Sequence, residues 1–158
     1  MDEKALFLKF WKKEAAATRA VIARIPEGSD YRPDPKSRTA REIAWLIVFE
    51  EISLADGLER GVFDWKDEPA PASMREVMST YDRNHDALTS RLERLSNEQL
   101  EREVPFLFGG QELMRARGLE SAWGFLFDII HHRGQISTYL RPMGSTVPQI
   151  YGPTADEP

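Results

Sequence analysis

The spacing of apolar residues along the chain predicts four long helices. They cover about residues 4–24, 40–60, 74–95 and 119–140. In the first of them the apolar positions recur at intervals of four or seven residues, at Leu6, Phe10, Ala17, Val21 and Ile25. The alternation of apolar and polar residues that is typical of β-strands is scarce. The pattern therefore predicts an all-α four-helix bundle.

Polar residues mark where two of these helices begin. Thr39 followed by Glu42, and Ser73 followed by Glu76, match the capping-box pattern of a helix N-terminus. The first and third connections are long. The third contains a glycine pair at 109–110, which predicts a turn within either a short hairpin or an irregular loop. The C-terminal tail, rich in proline and glycine, is predicted to be coil.

The composition is that of a soluble globular protein, with 41% apolar and 30% charged residues, and residues 1–158 are expected to form one domain. A net charge of −5 without a basic cluster argues against a nucleic-acid partner. The absence of cysteine excludes thiolate ligands within the chain. The N-terminus lacks a signal-peptide pattern, and the longest apolar run, residues 43–49, is too short to span a bilayer. We expect a cytoplasmic protein with no membrane partner.

The fourth predicted helix carries one polar stripe on an otherwise apolar surface. At 100° per residue the stripe consists of Asp128, His132, Gln135 and Tyr139. The neighbouring His131 points about a quarter turn away, in line with Phe127. A carboxylate and an imidazole one helical turn apart can chelate one divalent ion, or they can form an ordinary hydrogen-bonded pair. The D-x-x-x-H spacing alone leaves both alternatives open.

Two segments resemble the DinB-like (DNA-damage-inducible, YfiT-like) proteins. They are "IHHRGQISTYLRPMGSTVPQIYGP", which is similar to the C-terminal signature of that family, and "DYRPDPKSRTAREIAWLIVFEE", which is similar to its second-helix region. The resemblance implies a four-helix bundle, often a homodimer, that frequently holds a divalent metal such as nickel or zinc on three histidines. Related proteins include S-transferases and isomerases that use a small-molecule thiol, whereas many members have no assigned reaction.

Two of the three ligand positions that the resemblance implies are changed in this chain. The last ligand corresponds to His132, but the histidine expected four residues earlier is Asp128, and the second-helix histidine is Leu46. The alternative register through His131 would pair it with Phe127, which cannot bind a metal. Loss of an imidazole predicts that a divalent metal (nickel, zinc or manganese) binds weakly or not at all.

Glu50 lies one helical turn after Leu46 and is the residue that could complete the ligand set. Two carboxylates and one histidine would suit zinc, manganese or iron. The alternative for Glu50 is a solvated side chain or an ion pair with another helix, and Glu51 is adjacent to it. His85, among polar neighbours, is predicted to be a surface histidine.

Three further features allow a structural interpretation as well as a functional one. The arginines near the motif are expected to pair with carboxylates, although an arginine near a cleft could bind the carboxylate of a thiol cosubstrate; they are Arg115, Arg117, Arg133 and Arg141. Gly134, in the middle of a helix, predicts the close approach of another helix or a dimer contact. The tryptophans at apolar helical positions are expected to fill the core or an interface.

Two functions follow from these observations. The first is a metal-dependent enzyme of the hydrolase or thiol S-transferase type, in which a metal held by Asp128, His132 and Glu50 activates water or a thiol. The second is a metal-free, non-catalytic bundle that acts as a binding or stress-associated dimer. Leu46 favours the second and the polar stripe favours the first. No catalytic residue or cofactor-binding residue beyond these ligands is assigned by the sequence.

Overall fold

The computed structural model describes residues 2–158 and contains the four long helices that the sequence predicts. The helices are α1 (Glu3–Ile22), α2 (Ala40–Arg60), α3 (Met74–Arg94), the short α4 (Asn97–Glu101) and α5 (Gly118–Leu140). The strands are β1 (Phe63–Trp65), β2 (Glu103–Phe108) and β3 (Gln111–Arg117). The prediction of an all-α four-helix bundle is therefore wrong in part, because a fifth helix and a three-stranded sheet accompany the bundle. None of the described helices has both the length and the apolar character needed to cross a membrane.

The helix starts follow the side chains that cap them. The capping box of Thr39 and Glu42 is confirmed at the start of α2, with the Thr39 hydroxyl accepting from the Glu42 N–H and the Glu42 carboxylate accepting from the Thr39 N–H. Ser73 caps α3 by accepting from the Glu76 N–H. At the other end of α2, Gly61 adopts a left-handed conformation that closes the helix.

The sheet arises from the third connection, together with a short segment after α2. Strands β2 and β3 pair antiparallel around Gly109 and Gly110, so the predicted turn is confirmed as a hairpin. Strand β1 adds in parallel to β2, with Phe63 opposite Phe106. The sequence did not indicate β1, because three residues are too few to show a period of two.

The sheet covers one side of the groove between α2 and α5. The Phe63 ring is buried, lies over Gly57 of α2, and has its centroid 5.0 Å from that of Phe125 on α5. The Phe106 ring lies 6.3 Å from the same Phe125 ring. Helices α1 and α3 pack on the bundle's other sides. The groove is therefore bordered by the helices α2 and α5 and, on the side of the sheet, by aromatic side chains.

Two glycines within helices are expected to respond in opposite ways to alanine. A Cβ at Gly57 would overlap the Phe63 ring, so Gly57→Ala should lower the free energy of unfolding by about 1–3 kcal/mol. A Cβ at Gly134 would meet no neighbouring atom of residues 2–158 within 4 Å, and Gly134→Ala should raise the free energy of unfolding by about 0.5–1 kcal/mol. Urea unfolding measures both. The predicted close approach of another helix at Gly134 is wrong for this chain, and equal effects of the two substitutions would contradict the packing described for Phe63.

Candidate metal centre

Three potential metal ligands from two helices lie together in the groove between α2 and α5. Glu50 lies on α2, whereas Asp128 and His132 lie one turn apart on α5. The His132 Nε2 is 3.3 Å from the Glu50 Oε1 and 3.5 Å from the Asp128 Oδ1. One ligand atom of each residue lies within 4.8 Å of the other two. We call these three residues the candidate cluster.

Glu50 is the buried member of the candidate cluster. Its side chain is 3% exposed, and its Oε2 is buried without a hydrogen-bond partner in residues 2–158. Burial raises the pKa of the Glu50 carboxyl to about 7, an effect that the nearby imidazole of His132 opposes and the carboxylate of Asp128 reinforces. A carboxylate in this position is costly unless a proton or a cation neutralises it.

His132 is held with one ring nitrogen facing the two carboxylates. Its Nδ1 lies 3.0 Å from the Oε1 of Gln135, one turn further along α5. A hydrogen bond from Nδ1–H to that amide oxygen leaves Nε2 to face Glu50 and Asp128. Burial would lower the pKa of His132, but the hydrogen bonds with Glu50 and Gln135 outweigh it and the pKa is raised. Nε2 therefore faces the two carboxylates, where it can bind a proton or a metal ion.

The donor set fits a divalent cation. A cation would neutralise the Glu50 carboxylate and would give its partnerless Oε2 a ligand bond. Oxygen, oxygen and imidazole nitrogen are ligands that manganese, iron and zinc accept. Asp128 is 57% exposed, so the cluster has one deeply buried ligand and one ligand next to solvent.

The candidate cluster lines a cleft of about 890 Å³. Leu46 lies in the same cleft, so the position where the resemblance places a second-helix histidine does face the site. His131 also lines the cleft, with its ring 5.3 Å from that of His132, but it is not part of the cluster. Tyr139, predicted to share the polar stripe, is buried instead against the ring of Tyr31.

The sequence did not indicate the opposite wall of the cleft. Strands β1, β2 and β3 contribute Trp65, Phe106 and Met114, among others. The residues around these three in the sequence do not indicate that they line a cleft, because the wall forms only when β1 pairs with β2. The aromatic enrichment of "FLFGG" was the available signal, since aromatic residues are frequent in strands.

The prediction that His85 is a surface histidine is wrong. Its side chain is 15% exposed, and its Nδ1 lies 3.0 Å from both carboxylate oxygens of the buried Glu51. Its ring stacks on Trp11 and Tyr81. Helix α2 therefore carries two adjacent buried glutamates: Glu50 faces His132 on α5, and Glu51 faces His85 on α3.

The expectation that the arginines near the motif pair with carboxylates is confirmed. Arg115 pairs with Glu112, Arg117 with Glu3, Glu101 and Glu120, and Arg141 with Asp156. Arg133 is 2% exposed and its Nη1 lies 2.8 Å from the Oε2 of Glu14 on α1. Its other terminal nitrogen hydrogen-bonds with the Tyr151 hydroxyl of the C-terminal tail. None of these arginines lines the cleft.

The fold and the cluster define a helical bundle with a candidate metal centre between two of its helices. The chain belongs to the DinB family, whose sequence model matches residues 1–158. It is 29% identical over 156 residues to the uncharacterized protein YrdA of Bacillus subtilis (strain 168), covering 96% of this chain and 89% of that protein.

Two crystal structures share the fold. The DinB-like protein YjoA of Bacillus subtilis superposes with a TM-score of 0.72 at 23% identity, covering 92% of this chain and 97% of that one. A DinB-like protein of Bacillus cereus ATCC 10987 gives a TM-score of 0.73 at 23% identity, covering 92% and 95%. At this identity the likeness concerns the fold alone.

The two glutamate–histidine pairs predict how the stability of the chelator-treated protein depends on pH. Burial raises the pKa of Glu51, and its carboxylate outweighs the effect of burial on His85 so that the pKa of His85 is raised too. The pKa of Glu50 and that of His132 are also raised. At these four groups the folded state therefore binds more protons than the unfolded state, and near neutral pH the free energy of unfolding should fall as pH rises, by at most about 1.4 kcal/mol per pH unit for each proton.

Urea unfolding between pH 5.5 and 8.5 in the presence of EDTA measures this slope. The double variant Glu51→Gln/His85→Gln should have a shallower slope than the wild type. Arg94→Gln should keep the wild-type slope, because Arg94 is exposed, lies outside both pairs and does not titrate in this range. A wild-type stability that rises over this range would contradict the assignment.

Proposed function

We propose that Glu50, Asp128 and His132 bind one divalent metal ion and that the protein is a metal-dependent enzyme of the hydrolase or thiol-transfer type. The observation that carries the proposal is the Oε2 of Glu50, a buried carboxylate oxygen without a hydrogen-bond partner in the described chain. It lies beside an imidazole and a second carboxylate, those of His132 and Asp128, which lie one turn apart on α5.

Each ligand has its own part in holding the ion. Glu50 provides the negative charge inside the bundle, and Gln135 orients His132 so that Nε2 is available. Asp128 is the ligand nearest to solvent, so ions and water reach the cluster from its side. A bound divalent ion supplies Lewis acidity, which lowers the pKa of a water or thiol nucleophile and stabilises developing negative charge.

The chain supports such chemistry by shaping the surroundings of the cluster. Leu46 and the aromatic residues of the sheet give the cleft an apolar lining that reduces the access of water. In a low-dielectric surrounding the charges of the cluster act more strongly on a reacting group than they would in water. The two carboxylates and one imidazole favour manganese, iron or zinc.

Elemental analysis of protein purified without a chelator or a metal-affinity tag tests the proposal. We expect close to one divalent ion per chain, and a rise in melting temperature when manganese, zinc or nickel is added to metal-depleted protein. Metal-free protein that gains no thermal stability from any of the three ions would refute the proposal. That result would favour the alternative of a metal-free binding protein, to which the hydrocarbon of Leu46 in the cleft lends support.

A further inference from the structure

The cleft beside the candidate cluster is larger than a metal ion requires and has a distinct distribution of polarity. At about 890 Å³ it lies within the range of small-molecule sites. Its apolar lining includes Leu46 of α2 and an aromatic wall formed by Trp65, Phe106 and Phe125. The Trp65 and Phe106 rings stack with centroids 6.1 Å apart. This lining matches a ligand with an extended apolar or aromatic body.

One cation lines this cleft in the part of the chain that the structure describes. Arg38 is the only lysine or arginine among the lining residues, and it is exposed just before the cap of α2. Its guanidinium makes no ion pair with any described residue, unlike Arg115, Arg117, Arg133 and Arg141. A free guanidinium at the edge of an apolar cleft is suited to a carboxylate.

A second cavity adjoins the first at this point, and its lining contains three basic and three acidic residues. Arg38, Leu46 and Trp65 line both cavities, and the second is also lined by Arg32 and Lys36. Two of the acidic residues there are already engaged in hydrogen bonds: Glu42 with Thr39, and Asp67 with the indole of Trp65. The indole N–H of Trp45, which also lines this cavity, is buried without a hydrogen-bond partner among residues 2–158.

The opposite end of the cleft is acidic and belongs to the candidate cluster. Glu50 and Asp128 lie there, and Glu120, the remaining acidic residue of the lining, is 3.5 Å from the guanidinium of Arg117. Helix α2 begins at Ala40, two residues after Arg38, and Ala40 and Glu50 are separated by ten residues, which corresponds to about 15 Å along the helix axis. The cleft is therefore bipolar, with a cation at one end, the cluster at the other and an apolar stretch between them.

We propose that the substrate is an amphiphilic carboxylate. Its apolar body lies against Leu46 and the aromatic wall, its carboxylate binds the guanidinium of Arg38, and its far end reaches the candidate cluster. This proposal rests on the proposed function for the reacting end, but the binding of the acid to Arg38 and the aromatic wall does not depend on a metal. The same residues disfavour small hydrophilic substrates, because such a substrate would leave the aromatic wall exposed to water.

Fluorescence titration with 11-(dansylamino)undecanoic acid and its methyl ester tests the proposal. The two probes share an apolar body whose emission rises in an apolar site, and only the acid carries the anion. In EDTA, the acid should bind the wild type about fivefold more tightly than the ester, because the contribution of one partly exposed ion pair is modest. Arg38→Gln should bring this ratio close to one, whereas Arg94→Gln, an exposed arginine outside both cavities, should leave it unchanged.

A second variant locates the probe. Phe106→Ala should weaken the binding of the acid and of the ester to the same extent, because it removes part of the aromatic wall that both probes contact. Any of three results would overturn the proposal. They are equal affinity of the acid and the ester for the wild type, an affinity ratio that is unchanged in Arg38→Gln, and probe affinities that are unchanged in Phe106→Ala. Because EDTA removes metal from the titration, an acid preference in a protein that binds no metal would refute the proposed function alone. Metal binding without an acid preference would refute the substrate class alone.

Discussion

Glu50→Gln is expected to weaken the binding of a divalent metal by at least about 100-fold. The substitution keeps the shape of the side chain and removes its negative charge. The remaining ligands, Asp128 and His132, are too few for a stable site, since three or four protein ligands are usual. Competition with a chromophoric chelator measures the affinity.

The neighbouring residue provides a matched control. Glu51 is as deeply buried as Glu50 and lies on the same helix, but its carboxylate faces His85 rather than the candidate cluster. Glu51→Gln should therefore leave the metal affinity within about threefold of the wild type, in keeping with the modest effect expected from a site outside the ligand set. Equal losses in the two variants would show that buried charge on α2, and not ligation by Glu50, controls metal binding.

Arg133→Leu is expected to lower the free energy of unfolding by about 3–5 kcal/mol. The substitution leaves the buried Glu14 carboxylate without the guanidinium that lies 2.8 Å from it, and it removes a hydrogen bond with the Tyr151 hydroxyl. An unpaired buried charge costs far more than the loss of a surface ion pair. Urea denaturation at pH 7 measures the effect.

Two comparisons distinguish this account from a simple loss of packing. Arg141→Leu removes an exposed pair with Asp156 and should cost no more than about 1 kcal/mol. The double variant Glu14→Gln/Arg133→Leu should recover a large part of the stability lost in Arg133→Leu, because it removes the Glu14 carboxylate that would otherwise be buried without its guanidinium. A double variant as unstable as Arg133→Leu would contradict the role assigned to the Glu14–Arg133 pair.

The helices of this protein could be predicted from its sequence because their signals are local. Apolar spacing gave the four long helices, and the Thr39–Glu42 pair marked the start of α2 within one residue. The sheet depends on contacts that the sequence does not show locally. Strand β1 pairs with β2 across about 40 residues of chain that include α3, and Phe63 is placed by its fit over Gly57.

The members of the candidate cluster could be predicted from helical geometry and from the resemblance to the family motif. The 100° spacing of helical residues places His132, and not His131, on the polar stripe. Glu50 was predicted because it lies one helical turn after Leu46, and the structure places its carboxylate 3.3 Å from the Nε2 of His132. The error at His85 has a physical reason. Its partner Glu51 lies 34 residues away on another helix, so polar sequence neighbours suggested solvent where the bundle provides a buried carboxylate.

Leu46 shows how the departure from the family motif changes the expected site. A hydrocarbon at this position removes one nitrogen ligand and extends the apolar lining of the cleft. In the proposed site Glu50, one turn further along the same helix, would replace a neutral ligand with an anionic one. A carboxylate in place of an imidazole shifts the preference towards harder ions such as manganese.

Anomalous diffraction from crystals grown with manganese or zinc chloride tests the central claim most directly. Data collected on both sides of the metal's absorption edge should show one peak at about 2.0–2.2 Å from a carboxylate oxygen of Glu50, an oxygen of Asp128 and the Nε2 of His132. The peak should disappear in Glu50→Gln and remain in Glu51→Gln. Two results would contradict the account: no anomalous peak between α2 and α5, or a metal ion that is bound by His131 and not by Glu50.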